Sequence, residues 1–115
     1  MPQPRGVVVH LDEADPDKHV QVLRNVANLR AELGRQVPVE LVVHGPGLDA
    51  VLAGGPHRDA VDALISDGVQ VSACENTMHI RQLTHGDLAP GVGTVPAGVA
   101  QLARRQLEGW AYLRP

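Results

Sequence analysis

An α/β domain built on a parallel sheet is predicted by three features of this 115-residue chain. Apolar runs of strand length recur, helical stripes separate them, and glycine or proline turns stand at the joins. Parallel neighbours need crossover connections, so this alternation places helices against the sheet. The length suits one domain, residues 1–115, with a hydrophobic core of its own.

After a short polar lead, residues 5–11 form the first strand, with Val7, Val8, Val9 and Leu11 giving it the apolar character of a strand covered on both faces. Asp15 as N-cap and Pro16 at the first helical position start a helix, and Gly34 ends it. Val20, Leu23, Val26, Ala27 and Leu33 form its inward stripe, and Lys18, Arg24, Asn28 and Glu32 take the other face. Residues 37–44 make the second strand, with Pro38 at its start, where a missing donor is tolerated, and the turn His44-Gly45-Pro46-Gly47 at its end. Residues 48–52 suit one or two helical turns before Gly54-Gly55-Pro56 breaks them. A second helix over 57–66 carries Ala60, Val61, Leu64 and Ile65 as its apolar stripe. Asp67-Gly68 ends it, and residues 69–73 form the third strand, capped by Cys74. Residues 75–85 suit a short helix with Met78 and Leu83 inward, followed by a loop over 88–93 and a brief fourth strand over 94–96. Val99, Leu102, Ala103 and Leu107 mark a last helix that stops at Gly109, and residues 110–113 read as a terminal strand. No internal repeat or low-complexity tract divides the chain.

The bulk composition excludes several partners. Ten basic and 13 acidic residues give a net charge of -3, with no basic cluster beyond Arg104-Arg105, and the only aromatic side chains, Trp110 and Tyr112, lie near the C-terminus. Neither a phosphate-binding surface nor a base-stacking platform results, so nucleic acid is not an expected partner. One cysteine makes no internal disulfide, no signal pattern opens the chain, and no apolar run approaches the roughly 20 residues that span a bilayer. A soluble, cytoplasmic protein without membrane contact is the expectation.

In parallel sheets the functional crevice lies beyond the carboxyl ends of the strands. His10, His44 and Cys74 each fall at or near such an end and are expected to share one rim. Cys74 also precedes a helix, where unpaired backbone N–H groups favour a thiolate. Two readings of it stand side by side: a reactive thiol, or a small buried hydrophobe, since free cysteine is among the most buried residue types. Glu75 would raise the thiol pKa if its carboxylate faced the sulfur, and would be stabilised at the first helical turn if it faced solvent.

The segments Val42-Val43-His44-Gly45-Pro46-Gly47-Leu48, Cys74-Glu75-Asn76-Thr77-Met78, Val95-Pro96-Ala97-Gly98 and Glu108-Gly109-Trp110-Ala111-Tyr112-Leu113-Arg114-Pro115, in this order and spacing, resemble the DsrE/DsrF-like family. The resemblance covers nearly the whole chain. It implies a three-layer α/β/α domain with a largely parallel five-stranded sheet, and homo-oligomers, often trimers or hexamers. Members that act in sulfur oxidation and in thiolation of transfer RNA carry a persulfide on a cysteine that Cys74 resembles in placement. The resemblance implies a sulfur donor or acceptor protein as partner. His44 and Asn76 match the family-like motifs without a role being implied for either.

The leading chemistry is therefore sulfur transfer through Cys74, with His44 as an assisting side chain and His10, Gly45, Glu75, Asn76 and Thr77 lining the site. An imidazole within about 4–6 Å would support the thiolate; a turn-capping or strand-terminal histidine is the alternative for His44. His79 reads as solvated. The alternative function is a non-enzymatic oligomeric module that binds a small ligand or a partner's tail, with Cys74 merely packed. No cofactor is expected. Six histidines invite a metal site, but no Cys-x-x-Cys, His-x-x-x-His or His-Glu-x-x-His spacing occurs, and any site would need distant residues gathered on the rim. Ser66 and Ser72 lack a nucleophile elbow, and the glycine turns at 45–47 and 91–93 lack phosphate-loop spacing.

Overall fold

The computed structural model describes residues 5–115. The polar lead read at residues 1–4 lies outside the described residues. Strands and helices alternate as β1 (Val7–Leu11), α1 (Pro16–Leu33), β2 (Val39–Val43), a 3-10 helix (Gly45–Val51), α2 (Arg58–Ser66), β3 (Gln70–Cys74), α3 (Glu75–Ile80), a second 3-10 turn (His85–Asp87), β4 (Gly93–Val95), α4 (Gly98–Leu107) and β5 (Ala111–Leu113). The five strands form one sheet in the order β4-β3-β2-β1-β5, and every pairing between them is parallel. The sheet is thus the expected α/β arrangement, and parallel throughout. Among the described residues no helix is long and apolar enough to cross a membrane.

The strand order explains an uneven distribution of helices. From β1 to β4 the chain steps along the sheet in one direction, and the side chains of α1, α2, α3 and the first 3-10 helix build the main core with Val7, Val9, Leu11, Leu41, Val43 and Val71. The chain then crosses back over the whole sheet to reach β5, and α4 makes that crossing. The core on this side is small, with Val8, Val42 and Leu102 buried and Trp110 packed against them. Helices cover both faces, and one face has α4 alone.

On that face a polar network replaces apolar packing. Glu40 is fully buried in the middle of β2, and its carboxylate accepts hydrogen bonds from Ser72 Oγ (2.7 Å), Gln101 Nε2 (3.0 Å), Gln70 Nε2 (3.2 Å) and Arg105 Nε (2.6 Å). A buried carboxylate is tolerated only when so satisfied. The Arg105 guanidinium also lies 4.1 Å from the Trp110 ring centroid, which fixes the end of α4 against β5.

Several sequence expectations are corrected here. The inward face of α1 is His19, Val22, Leu23, Val26 and Arg30, while Val20, Ala27 and Leu33 are exposed. His19 and Arg30 enter the interior because backbone carbonyls receive them: Glu13 O faces His19 Nε2, and Asp67 O and Val37 O accept from Arg30. In α2, Val61 and Leu64 are buried but Ala60 is exposed. In α4, Leu102 is buried whereas Val99, Ala103 and Leu107 are exposed. The helix after Cys74 stops at Ile80 rather than His85. Gln82 adopts a left-handed φ of 58°, and the Leu83 N–H reaches Met78 O while the Gln82 N–H reaches His79 O, which closes α3 as a Schellman motif.

Candidate functional site

The pleat of a parallel sheet sends His10, His44 and Cys74 to the same side. In register, Val8 lies beside Glu40 and Glu40 beside Gln70; two-residue alternation carries this face to His10, Val42 and Ser72, and then to the strand ends at His44 and Cys74. All of them face α4. The first residue of that helix, Gly98, enters between two of the side chains: a Cβ built on it would lie 3.0 Å from His44 Cβ and 3.3 Å from Cys74 Cβ. Any side chain at this position would press on both neighbours, so glycine suits the close approach of α4.

Cys74 ends β3 and is the N-cap residue of α3, with an extended backbone (φ -75°, ψ 118°). Its thiol makes no regular capping bond, and the polar groups that act on the sulfur are the backbone N–H groups of Gly98, Thr77 and Asn76 and the Thr77 hydroxyl. Burial pushes the thiol pKa up; these donors more than offset that, so Cys74 lies below its ordinary value. The donors come from the starts of two helices, α3 and α4. The sulfur-bearing residue is itself only 5% exposed.

Thr77 is shared with the neighbouring loop. Its Oγ1 accepts the backbone N–H of Gly45 at 2.8 Å, and Gly45 takes the left-handed φ of 54° that opens the 3-10 helix. Gly45 and Thr77 are therefore joined at the site, whereas Asn76 contributes its backbone and leaves its side chain exposed. Glu75 turns aside: its Oε2 accepts the Thr94 hydroxyl at 2.7 Å. His79 is exposed.

Next to this pocket the imidazoles meet. His10 Nε2 and His44 Nε2 are 2.7 Å apart, with the rings stacked at 4.8 Å between centroids, and His10 Nδ1 is hydrogen bonded to the Tyr112 hydroxyl at 2.7 Å. Asp12 Oδ2 lies 3.7 Å from His10 Nε2, and its other oxygen, Oδ1, accepts from Arg114 Nη2 at 3.0 Å. Burial lowers the His10 pKa, with His44 and Arg114 acting in the same sense and Asp12 and Glu13 opposing them, so the charged form of this ring is disfavoured.

The sequence reading omitted Asp12, Gly98, Tyr112 and Arg114. A signal existed for Asp12, two residues beyond His10 at the same strand end. Tyr112 and Arg114 stand in the C-terminal segment that carries the family resemblance, but their place beside His10 and Asp12 depends on the pairing of β5 with β1.

Comparison with known proteins gives consistent results. Residues 7–115 match the model of the DsrE/DsrF-like family. No curated protein matches the chain. Among solved structures, a protein of unknown function from Methanobacterium thermoautotrophicum, MTH1491, is 37% identical, with a TM-score of 0.89 over 95% of this chain and 97% of that one. The ychN protein from E. coli shares the fold at 19% identity (TM-score 0.82, covering 96% and 99%). BT1422, a conserved protein of unknown function from Bacteroides thetaiotaomicron, does so at 12% (TM-score 0.79, covering 96% and 95%).

Proposed function

The chain belongs to the DsrE/DsrF-like family, and from that premise we propose that it is a sulfur carrier holding a persulfide on Cys74. The observation that supports this reading is the position of Cys74 as N-cap of α3 with the start of α4, at Gly98, packed against it, a setting that lowers the thiol pKa despite burial. Such a setting stabilises a thiolate, which is both the form that attacks and the leaving group when the sulfur is passed on. In the first step the Cys74 thiolate attacks the sulfane sulfur of a donor. A new S–S bond forms to Cys74, the donor's own bond to that sulfur breaks, and the leaving group departs with the electron pair. In the second, an acceptor thiolate attacks the outer sulfur and Cys74 leaves as thiolate. No external oxidant is needed.

The donor and acceptor are proposed to be small sulfur species or partner proteins that present sulfur at the rim, since the thiol is nearly covered. The site is proposed to work within a cytoplasmic homo-oligomer, a trimer or hexamer. Supporting that assembly, the α4 side of the sheet has one helix, and Val99 and Leu107 on it are 63% and 89% exposed. Light scattering should return a multiple of the 12.2 kDa chain mass; a monomer across micromolar concentrations would remove the oligomer.

Incubation with a sulfane-sulfur donor, followed by intact-mass measurement and peptide mapping, tests the function. One added sulfur on Cys74, absent in Cys74→Ser, is the expected result. An intact thiol that takes up no sulfur would favour the alternative, an oligomeric binding module in which Cys74 is only packed.

A further inference from the structure

We propose that His10, Asp12 and His44 form a binding site for one divalent transition-metal ion of the zinc type. One donor atom from each of the three residues lies within 4.8 Å of the others. Two imidazole nitrogens and one carboxylate oxygen suit zinc, cobalt or nickel better than calcium or magnesium, which prefer all-oxygen sites.

The geometry of the two rings supports this. At 2.7 Å the His10 and His44 Nε2 atoms share one hydrogen bond, whose proton a metal ion would displace as it took both nitrogens. Metal–nitrogen bonds of about 2.0–2.1 Å place two tetrahedral ligands about 3.3 Å apart, so on binding the rings would part by a fraction of an ångström and tilt until both nitrogens face the ion. Asp12 Oδ2, at 3.7 Å from His10 Nε2, completes a triangle of suitable size.

The outer atoms of two ligands are already held. The Tyr112 hydroxyl occupies His10 Nδ1, leaving Nε2 to coordinate, and Arg114 occupies Asp12 Oδ1, leaving Oδ2 free. Such partners fix ring orientation and carboxylate direction in metal centres. Both come from the C-terminal segment, so the pairing of β5 with β1 is what organises the ligands. Three protein donors leave a tetrahedral ion one open position, the pattern of reactive rather than purely structural sites. This site does not depend on the sulfur reading, because Cys74 is not among the grouped donors.

The test is titration of the chelator-treated full chain with Co²⁺ as a spectroscopic probe, followed by displacement with Zn²⁺. Expected are visible ligand-field bands that saturate at one equivalent per chain and vanish on zinc addition. No sulfur-to-cobalt charge-transfer band should appear, and Cys74→Ser should titrate as the native protein does. His44→Gln and Asp12→Asn should each weaken binding at least about tenfold, and Tyr112→Phe, which touches no ion, about tenfold through loss of ring orientation. Apo-protein thermal unfolding checks that each variant is folded; if His44→Gln fails that check, the partly exposed Asp12→Asn decides. Absence of saturable binding, equal affinity in native protein and Asp12→Asn, or loss of binding in Cys74→Ser would overturn the proposal.

Discussion

Thr77 Oγ1 accepts the Gly45 backbone N–H at 2.8 Å while its hydroxyl is directed at the Cys74 sulfur. One side chain thereby ties the turn after β2 to the thiol at the end of β3. Replacement by valine keeps the shape and removes both interactions. Thr77→Val should destabilise the fold by about 1–3 kcal/mol, the penalty for leaving a part-buried N–H unpaired. It should also move the Cys74 pKa upward. Denaturant unfolding reads the first effect and the pH dependence of alkylation the second; a variant of native stability and native labelling would dissociate Thr77 from the site.

Gly98 marks how closely α4 approaches the two reactive side chains. The Cβ of Gly98→Ala would meet His44 Cβ at 3.0 Å and Cys74 Cβ at 3.3 Å, and both contacts are backbone-anchored atoms that cannot swing away. Overpacking of this kind typically costs about 1–3 kcal/mol. Because Gly98 also supplies an N–H to the sulfur, displacement of α4 should slow Cys74 alkylation at neutral pH. Unfolding midpoints and labelling rates for the variant provide the check, and unchanged values for both would contradict the tight approach.

The fold was legible in the chain because its main-core strands and stops are local signals: Val7, Val8, Val9 and Leu11 in β1, the Asp15-Pro16 start of α1, and the glycine and proline breaks between elements. What escaped depends on partners distant in sequence. The burial of Arg30 depends on the carbonyls of Asp67 and Val37, and that of Glu40 on Gln101 and Arg105 arriving from α4, partners that no local pattern announces. The shared rim of His10, His44 and Cys74 followed from strand ends alone. The Tyr112 and Arg114 contacts did not, because nothing local tells that the last strand lies beside the first.

Arg105 closes the buried network around Glu40 from a position that is itself largely shielded, and its pKa is raised; burial opposes the charge, but Glu40 and then Glu108 overcome that effect. Arg105→Leu removes a charge-assisted hydrogen bond from a fully buried carboxylate and the stacking on Trp110. The expected loss is about 1.5–3 kcal/mol, the range for hydrogen bonds to charged groups. Ser72 and Gln101 remain as donors and keep the loss from growing larger. Thermal or denaturant unfolding measures it, with no loss indicating that Glu40 is satisfied without the arginine.

Cys74 provides the prediction that bears most directly on sulfur chemistry. Burial disfavours its thiolate, and the N–H groups of Gly98, Thr77 and Asn76 with the Thr77 hydroxyl reverse that preference, leaving the folded-state pKa below its ordinary value. A pKa depressed on folding adds stability that is fully present above the unfolded pKa and is lost as pH falls through the folded one. The stability gap between native protein and Cys74→Ser should therefore widen as pH rises toward and past about 8.5. Iodoacetamide labelling of the native chain should show a midpoint below that of free cysteine, with slow absolute rates because the residue is nearly covered. His44→Ala should slow sulfur uptake without abolishing it. Glu75→Gln should alter labelling by no more than about twofold, since the exposed carboxylate is engaged by Thr94 and an exposed charge acts weakly. A midpoint at or above that of free cysteine, or labelling only on unfolding, would leave Cys74 a packed residue and remove the persulfide carrier.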